Sequence, residues 1–484
     1  MKHASSKLLL PCAVLHLGLA ALSAQQTGNP ERIFVEPFAT KTDSAQLRES
    51  VVAALRRLPN VAVVNEASAA DMILGGGGDI WVRGYTSLNP RAPRVPQRGT
   101  AVYSGFLSVE LRDPKGLTVW SYLATPQLGR NSGKDDVHSD LGKQIATRAA
   151  TAIRSGLAPP IETKTAAAAV SLSGAGATFP YPLYRKWFAN YGRTNPSVDI
   201  RYDPVGSEAG IRRLVAGQVD FGASDSPDAV RTVAPGQEAK YLLFPSAVGA
   251  VVPIVNLPGM AGEVSLTPPI LAGIYLGRIT RWNDPVLRAA NPRLRLPDLP
   301  IIPVHRRDGS GTSYVWTDFL AATDPEWKSK VGSGMAPAWP VGRSATGNEG
   351  VAGVVKEFGG AIGYVEFTFA LQNRLNIGRV RNREGRFVGA SLESVAIAAR
   401  HAIQSSGEIR DSIVNAPGDG AYPIASFTWL VVPERIAEGA KKDAIAAFVK
   451  WMVGPGQRQA AALGYLALPP EVVAKVEAEI LRLR

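Results

Sequence analysis

The chain has a single cysteine in 484 residues, Cys12, and it falls inside an N-terminal stretch that reads as a removable leader. Without that stretch no thiol remains, which excludes disulfides and cysteine-based metal or redox chemistry. Histidine is nearly as scarce, with only His138, His305 and His401 beyond the leader. None of the three stands in a triad context or at metal-ligand spacing. A hydrolase using Ser310 or Thr178 as nucleophile would therefore lack a base, and neither catalysis nor a metal or other cofactor is expected. The formal net charge is +12, yet there is no Lys/Arg block and no basic run interleaved with aromatics. A dispersed excess of this kind attracts small anions but does not build a nucleic-acid surface, so no nucleic-acid partner is expected. Beyond the leader, no apolar stretch reaches membrane-spanning length.

Residues 1–24 have the layout of a secretory signal peptide: Lys2, His3 and Lys7 precede an apolar run from Leu8 to Leu22 that closes on Ser23 and Ala24. Pro11 directly before Cys12 fits a lipoprotein anchor poorly, so the expectation is an exported soluble protein. Hydrophobic residues make up 45% and charged residues 19%, and the length suggests about three folding units. Residues 30–158 alternate strand and helix patterns in a way that fits a small α+β domain. Its tetraglycine at 75–78 lacks the Lys-Ser/Thr and the helix of a phosphate loop, and reads as a bulge or flexible turn. Residues 159–169, rich in Pro, Thr and Ala, form a linker. Strands and helices alternate from there on, which predicts a mostly parallel sheet. The apolar segments 248–256 and 427–432 would be crossovers between two lobes, one of residues 170–254 plus 427–484 and the other of residues 255–426.

Three short Gly- or Ser-rich stretches each run straight into a helical pattern: SGAGATFP (173–180), VGSEAGIR (205–212) and RRDGSGTS (306–313). A helix start presents unpaired N–H groups and the positive end of the macrodipole, which suits a small anion. In the first stretch Thr178 offers a hydroxyl, Phe179 an N–H and a ring that excludes water. A plain strand-to-helix turn is the alternative, and Phe179 where a third glycine would fall speaks against a dinucleotide fingerprint. In the second stretch Ser207 is an anion donor or simply an N-cap, and Glu208 must turn away or meet Arg212 and Arg213. The third is the most specific. Two glycines flank Ser310, and Arg306 or Arg307 can give a two-pronged contact while Asp308 orients the guanidinium; a surface turn is the bland reading. Asp225, after VDFGAS (219–224), either faces the same site or caps a helix near Pro227.

In order and spacing, these motifs resemble the periplasmic phosphate-binding proteins of the PstS type, which serve phosphate ABC transporters. VDFGASD (219–225), IYLGRITRWN (274–283), GAIGYVE (360–366) and YLALPP (465–470) extend the resemblance over about residues 170–480. It implies a two-lobed α/β fold of the type II periplasmic binding protein class, here preceded by the small α+β domain. The lobes would close over one dehydrated inorganic phosphate with no metal, and the partner would be the membrane permease of an ABC phosphate transporter. Carried over, the ligands would be Thr178, Phe179, Ser207, Asp225, Arg306, Ser310, Gly311 and Thr312, with Asp308 behind Arg306. Arg306 is preferred over Arg307 because it stands four residues before Ser310. Glu208 departs from the small residue usual beside the serine, and residues 30–158 lie outside the common plan. AADMIL (69–74) in that extra unit resembles the amino-terminal domain of TolB, which leaves its partner unspecified. The rival expectation is an envelope scaffold or adhesin that keeps a receptor-like fold.

Overall fold

A computed structural model describes residues 31–40, 44–86, 100–114, 118–126, 133–154, 170–260, 262–406 and 410–484. The expected signal peptide with Cys12 and the expected linker at 159–169 lie outside the described residues. Among the described residues, no helix is long and apolar enough to cross a membrane.

The chain opens with β1 (Glu31–Val35), α1 (Ser44–Leu55), β2 (Val61–Val64), β3 (Met72–Thr86), β4 (Thr100–Arg112), β5 (Thr118–Ala124) and α2 (Lys134–Arg154). The strands form a sheet in the order β2-β1-β3-β4-β5, parallel on the β2-β1-β3 side and antiparallel beyond it. Period-two alternation along β4 turns Leu107, Val109 and Leu111 to one face, where they pack with Leu47, Val51 and Leu55 of α1 and Val137, Leu141 and Ile145 of α2. The opposite face turns to the rest of the chain: Ser108 donates to the Ala462 carbonyl, and Glu110 pairs with Lys186 at 2.9 Å. The tetraglycine is neither bulge nor turn. It lies in regular register within β3, from Gly75 opposite Glu110 to Gly78 opposite Leu107, and the bulge comes only after Val82. A Cβ at Gly76 or Gly78 would strike the Ser108 or Phe106 carbonyl, so the glycines serve close strand approach.

The remainder builds a larger sheet from β6 (Val170–Gly176), β7 (Val198–Asp203), β8 (Phe221–Ser224), β9 (Tyr241–Val255), β10 (Ile302–Arg306), β11 (Arg343–Ala345), β12 (Ala361–Glu366) and β13 (Ala425–Pro433). Its order is β11-β10-β12-β9-β13-β8-β6-β7. Parallel pairing is confined to the flanks, where β6 joins β7 and β8, and β10 joins β11 and β12. β9 and β13 run antiparallel to their neighbours, so the mostly parallel sheet expected from the sequence is a mixed one. A chain that crosses from one half to the other and returns makes two opposed passes, and those passes pair antiparallel. β9 is the joint: residues 241–250 pair with β13 and residues 251–255 with β12. It is buried nearly throughout, which is why the segment shows a continuous apolar run rather than alternation. Helices cover the flanks, giving a two-lobed α/β fold preceded by a small α+β unit.

Candidate functional site

The three loops meet at the seam between the lobes. β6 ends at Gly176, and the Ala177 N–H bonds the Ala223 carbonyl at 2.9 Å, so the first loop lies beside β8. Pro180 stands at the N-cap of α3 (Tyr181–Thr194). Phe179 is fully buried, its carbonyl accepting from the Tyr465 hydroxyl at 2.6 Å, and Thr178 is half-buried at the turn. The second loop is tied to the first by the Gly206 N–H on the Gly176 carbonyl at 2.9 Å. Gly206 takes φ +96° at the N-cap of α4 (Ser207–Val215), a conformation that favours glycine. Ser207 is therefore the first helical residue and not the cap, which frees its hydroxyl from the helix it opens. In the third loop, Ser310 caps α5 (Gly311–Thr323) by accepting from the Ser313 N–H at 3.3 Å.

Two hydrogen bonds join α4 to the third loop across the seam. The Glu208 N–H donates to the Gly309 carbonyl at 3.1 Å, and the Gly311 N–H donates to Ser207 Oγ at 3.1 Å. A Cβ at Gly311 would collide with Asp225 Oδ2 and Ser207 Oγ, so only glycine fits there. Asp225 follows β8 and is buried. Its Oδ1 accepts from the Thr428 hydroxyl at 2.7 Å, while Asp228 holds the cap position of the short helix Ala229–Val233. Glu208 turns to Arg212, with a contact of 2.6 Å.

Of the two candidate arginines, Arg306 has a fully buried side chain, whereas Arg307 is exposed and reaches Thr346 Oγ1 at 3.0 Å. Arg306 Nε donates to Asp308 Oδ1 at 2.8 Å and Nη2 donates to Oδ2, a two-pronged hold that Gly347 reinforces by donating its N–H to Oδ1 at 3.1 Å. Burial alone would raise the Asp308 pKa. The hydrogen bonds and charge of Arg306 outweigh it and keep the carboxyl below its ordinary range.

Three buried polar atoms here have no partner among the described residues: Asp225 Oδ2, Arg306 Nη1 and Thr312 Oγ1. An unpaired buried polar group costs about 1–3 kcal/mol, so three at one seam mark a place built for a ligand. The set is a fixed cation, a hydroxyl and a carboxyl oxygen. Burial pushes the Asp225 carboxyl up to about 7, against the Thr428 hydrogen bond and the Arg306 charge, which pull it down. A carboxyl poised near neutrality can share a proton with an anion that carries one. Among the described residues no group of His, Cys, Asp and Glu could hold a metal ion.

Sequence reasoning missed the residues that brace this set. Thr428 on β13 fixes Asp225, and Tyr364 on β12 accepts the Arg306 N–H at 3.1 Å and meets Ser313 Oγ at 2.7 Å. Both are polar side chains inside apolar strand segments, and that is the one signal the sequence offered for them.

A family model described as the PBP superfamily domain matches residues 162–455. The phosphate-binding protein PstS of Xylella fastidiosa (strain Temecula1) is 42% identical over 312 residues, covering 64% of this chain and 84% of that protein. The protein of the same description from Pasteurella multocida (strain Pm70) is 38% identical over 313 residues, covering 64% and 90%. A solved structure described as a high-affinity periplasmic phosphate-binding protein (PfluDING) bound with phosphate matches with a TM-score of 0.51 and 22% identity, covering 64% of this chain and 93% of that one. At that identity the likeness is one of fold.

Proposed function

The chain belongs to the PBP superfamily and, within it, to the phosphate-binding proteins of the PstS type, and from that membership we propose that it captures inorganic phosphate between its lobes. In this reading residues 170–254 and 427–484 form one lobe and residues 255–426 the other, with residues 30–158 as an accessory domain. The exported protein would then deliver its phosphate to the membrane permease of an ABC transporter. It is a receptor and not an enzyme, as its family is.

The observation that carries the reading is the trio of unpartnered buried atoms on Asp225, Arg306 and Thr312. Arg306 Nη1 would donate to one phosphate oxygen while Asp308 holds the guanidinium plane. Thr312 and Ser207 would donate hydroxyl protons, and Ser310 can donate its own while still capping α5. Thr178 and the Phe179 N–H would close the first-loop side. Gly311 needs one change, because its N–H is engaged by Ser207 Oγ and must exchange that bond for the anion. Asp225 Oδ2 would accept the proton that phosphate still carries near neutral pH. Between them the anion and Asp225 hold one proton, so either partner can be written as the donor.

Calorimetry of the mature protein, stripped of bound anion, tests this against phosphate and sulfate at a pH above the Asp225 value of about 7, where phosphate still carries one proton. A saturable one-to-one heat for phosphate and none for sulfate is expected. No heat with phosphate would remove the receptor reading and favour a scaffold.

A further inference from the structure

A second cavity of about 530 Å³ lies where the first unit meets both lobes, behind Tyr465, whose hydroxyl holds the Phe179 carbonyl. Each of the three parts contributes one arginine to its lining: Arg148 from α2, Arg400 from the helix Leu392–Ser406 and Arg458 from the segment after β13. Arg458 is half-buried with no hydrogen bond or ion pair among the described residues, and burial pulls its pKa down. Arg400 likewise has no such partner. Three like charges around one cavity repel each other, and a half-buried guanidinium with nothing to bond is costly unless an anion arrives. Among the described lining residues one is acidic, Glu393, which is exposed, has an interaction of its own and acts on Tyr122 by its charge, so a single carboxylate faces three guanidinium groups.

The walls add a second chemical preference. Trp120 and Tyr122, two residues apart on β5, lie on the same face with ring centroids 6.0 Å apart and planes 13° from parallel. Arg148 lies 5.7 Å over the Tyr122 ring. Flat aromatic walls accept a planar ring by stacking, and guanidinium forks match phosphate oxygens. The volume is that of a small-molecule site, for which roughly 300–1,000 Å³ is usual.

We propose that this cavity is a second, organic-anion site, which takes a ligand joining a phosphate group to a planar ring, in the manner of a nucleoside monophosphate. The phosphate meets Arg458 and Arg400, and the ring lies against Trp120 and Tyr122. This site is independent of the one between the lobes and shares none of the anion-binding residues assigned there.

The test titrates the full mature chain with AMP after the inter-lobe site has been filled with a stoichiometric amount of inorganic phosphate, which keeps AMP out of that site without a free excess competing at Arg458 and Arg400. Tryptophan fluorescence and calorimetry should both report saturable one-to-one binding. Arg458→Ala should weaken AMP by at least about tenfold, and Trp120→Leu by several-fold, without lowering the thermal midpoint. Arg400→Ala, at an exposed helical position, carries the same expectation with no folding risk. Pyrophosphate, which has charge but no ring, should bind several-fold more weakly than AMP. The absence of saturable AMP binding up to about 5 mM would overturn the proposal. So would AMP binding left unchanged by both Arg458→Ala and Arg400→Ala, and pyrophosphate binding as tightly as AMP would overturn the ring contact.

Discussion

The seam between the lobes and the junction behind it are both built where three parts of the chain meet, and both enclose arginine. They differ in what holds the arginine. At the seam, Arg306 is gripped on two nitrogens by Asp308, and Asp308 is gripped in turn by Gly347, so one nitrogen alone is left over. At the junction, Arg458 has no partner among the described residues and Arg148 rests on an aromatic ring. A guanidinium locked in plane and rotamer presents one donor in one direction, which suits a small anion of fixed geometry. A guanidinium held loosely can follow a larger or more variable ligand. The second arrangement also leaves less penalty when its ligand is absent, because half-exposed cations keep some of their water.

The largest effect that would break this contrast is expected at Arg306. Removing one member of a buried, hydrogen-bonded charge pair costs about 2–5 kcal/mol, so Arg306→Ala should weaken phosphate tens- to thousands-fold in a direct titration. Arg307→Ala should stay near wild type, since its side chain is exposed and bonded to Thr346. If Arg307 proves the sensitive position, the rigid-guanidinium account of the seam fails.

On the proposed reading, Asp225 sharpens the contrast by choosing between anions. Sulfate has no proton to give, so above the Asp225 value of about 7 it would face an ionised Oδ2 acceptor to acceptor in a dry site, whereas below that value Asp225 can donate to it. A site left unpaired in this way can discriminate by about 10⁴-fold or more. Asp225→Asn can donate to sulfate and should relax that exclusion in competition titrations. An Asn variant that rejects sulfate as firmly as wild type would take Asp225 out of the specificity role.

Proton linkage gives a smaller effect of definite sign. Burial raises Asp225 to about 7 and Glu366 to about 8 in the folded protein, with Asp225 itself adding to the rise at Glu366. The folded state thus binds these protons more tightly than the unfolded chain. The stabilisation they bring is full below the ordinary carboxylate range and is lost as pH rises through the two folded values. Thermal melts of the anion-free protein should show stability falling between about pH 4 and pH 8 on this account. Asp225→Asn should flatten part of that slope, and parallel profiles for the two proteins would contradict the assignment.

The smallest expected effect on phosphate comes from deleting the first unit. Three of its contacts with the lobes, Ser108 on Ala462, Glu110 on Lys186 and Arg374 over Trp81, fall outside the seam residues. A fragment beginning near Thr165 should bind phosphate within a few-fold of the full chain while melting earlier, because Leu123 no longer packs beside Gly464. A loss beyond about tenfold, roughly 1.4 kcal/mol, would show that the first unit takes part in closure.

The two regions also differ in how far the sequence revealed them. At the seam, each loop is a local signal: glycines beside a hydroxyl at a helix start, with Asp225 and Arg306 at strand ends. Local signals survive into the fold, and the structure brings all three loops together. What stayed hidden was long-range. Thr428 lies 203 residues from Asp225 and Tyr364 lies 58 from Arg306, and no spacing rule links such pairs. Gly206 taking the cap from Ser207 was hidden for a different reason, since a backbone angle decides it and not a side-chain preference. The mixed sheet follows from the double crossing of β9 and β13, which alternation of strand and helix patterns does not encode. The junction was illegible altogether, because Arg148, Arg400 and Arg458 become neighbours only when three separately folded parts pack.

The most direct measurement is a crystal structure of the mature protein grown with phosphate. The account predicts one tetrahedral anion at the seam, with oxygens in hydrogen-bond reach of Arg306 Nη1, Thr312 Oγ1 and Asp225 Oδ2. An anion bound elsewhere, with those three atoms still unpartnered, would contradict it.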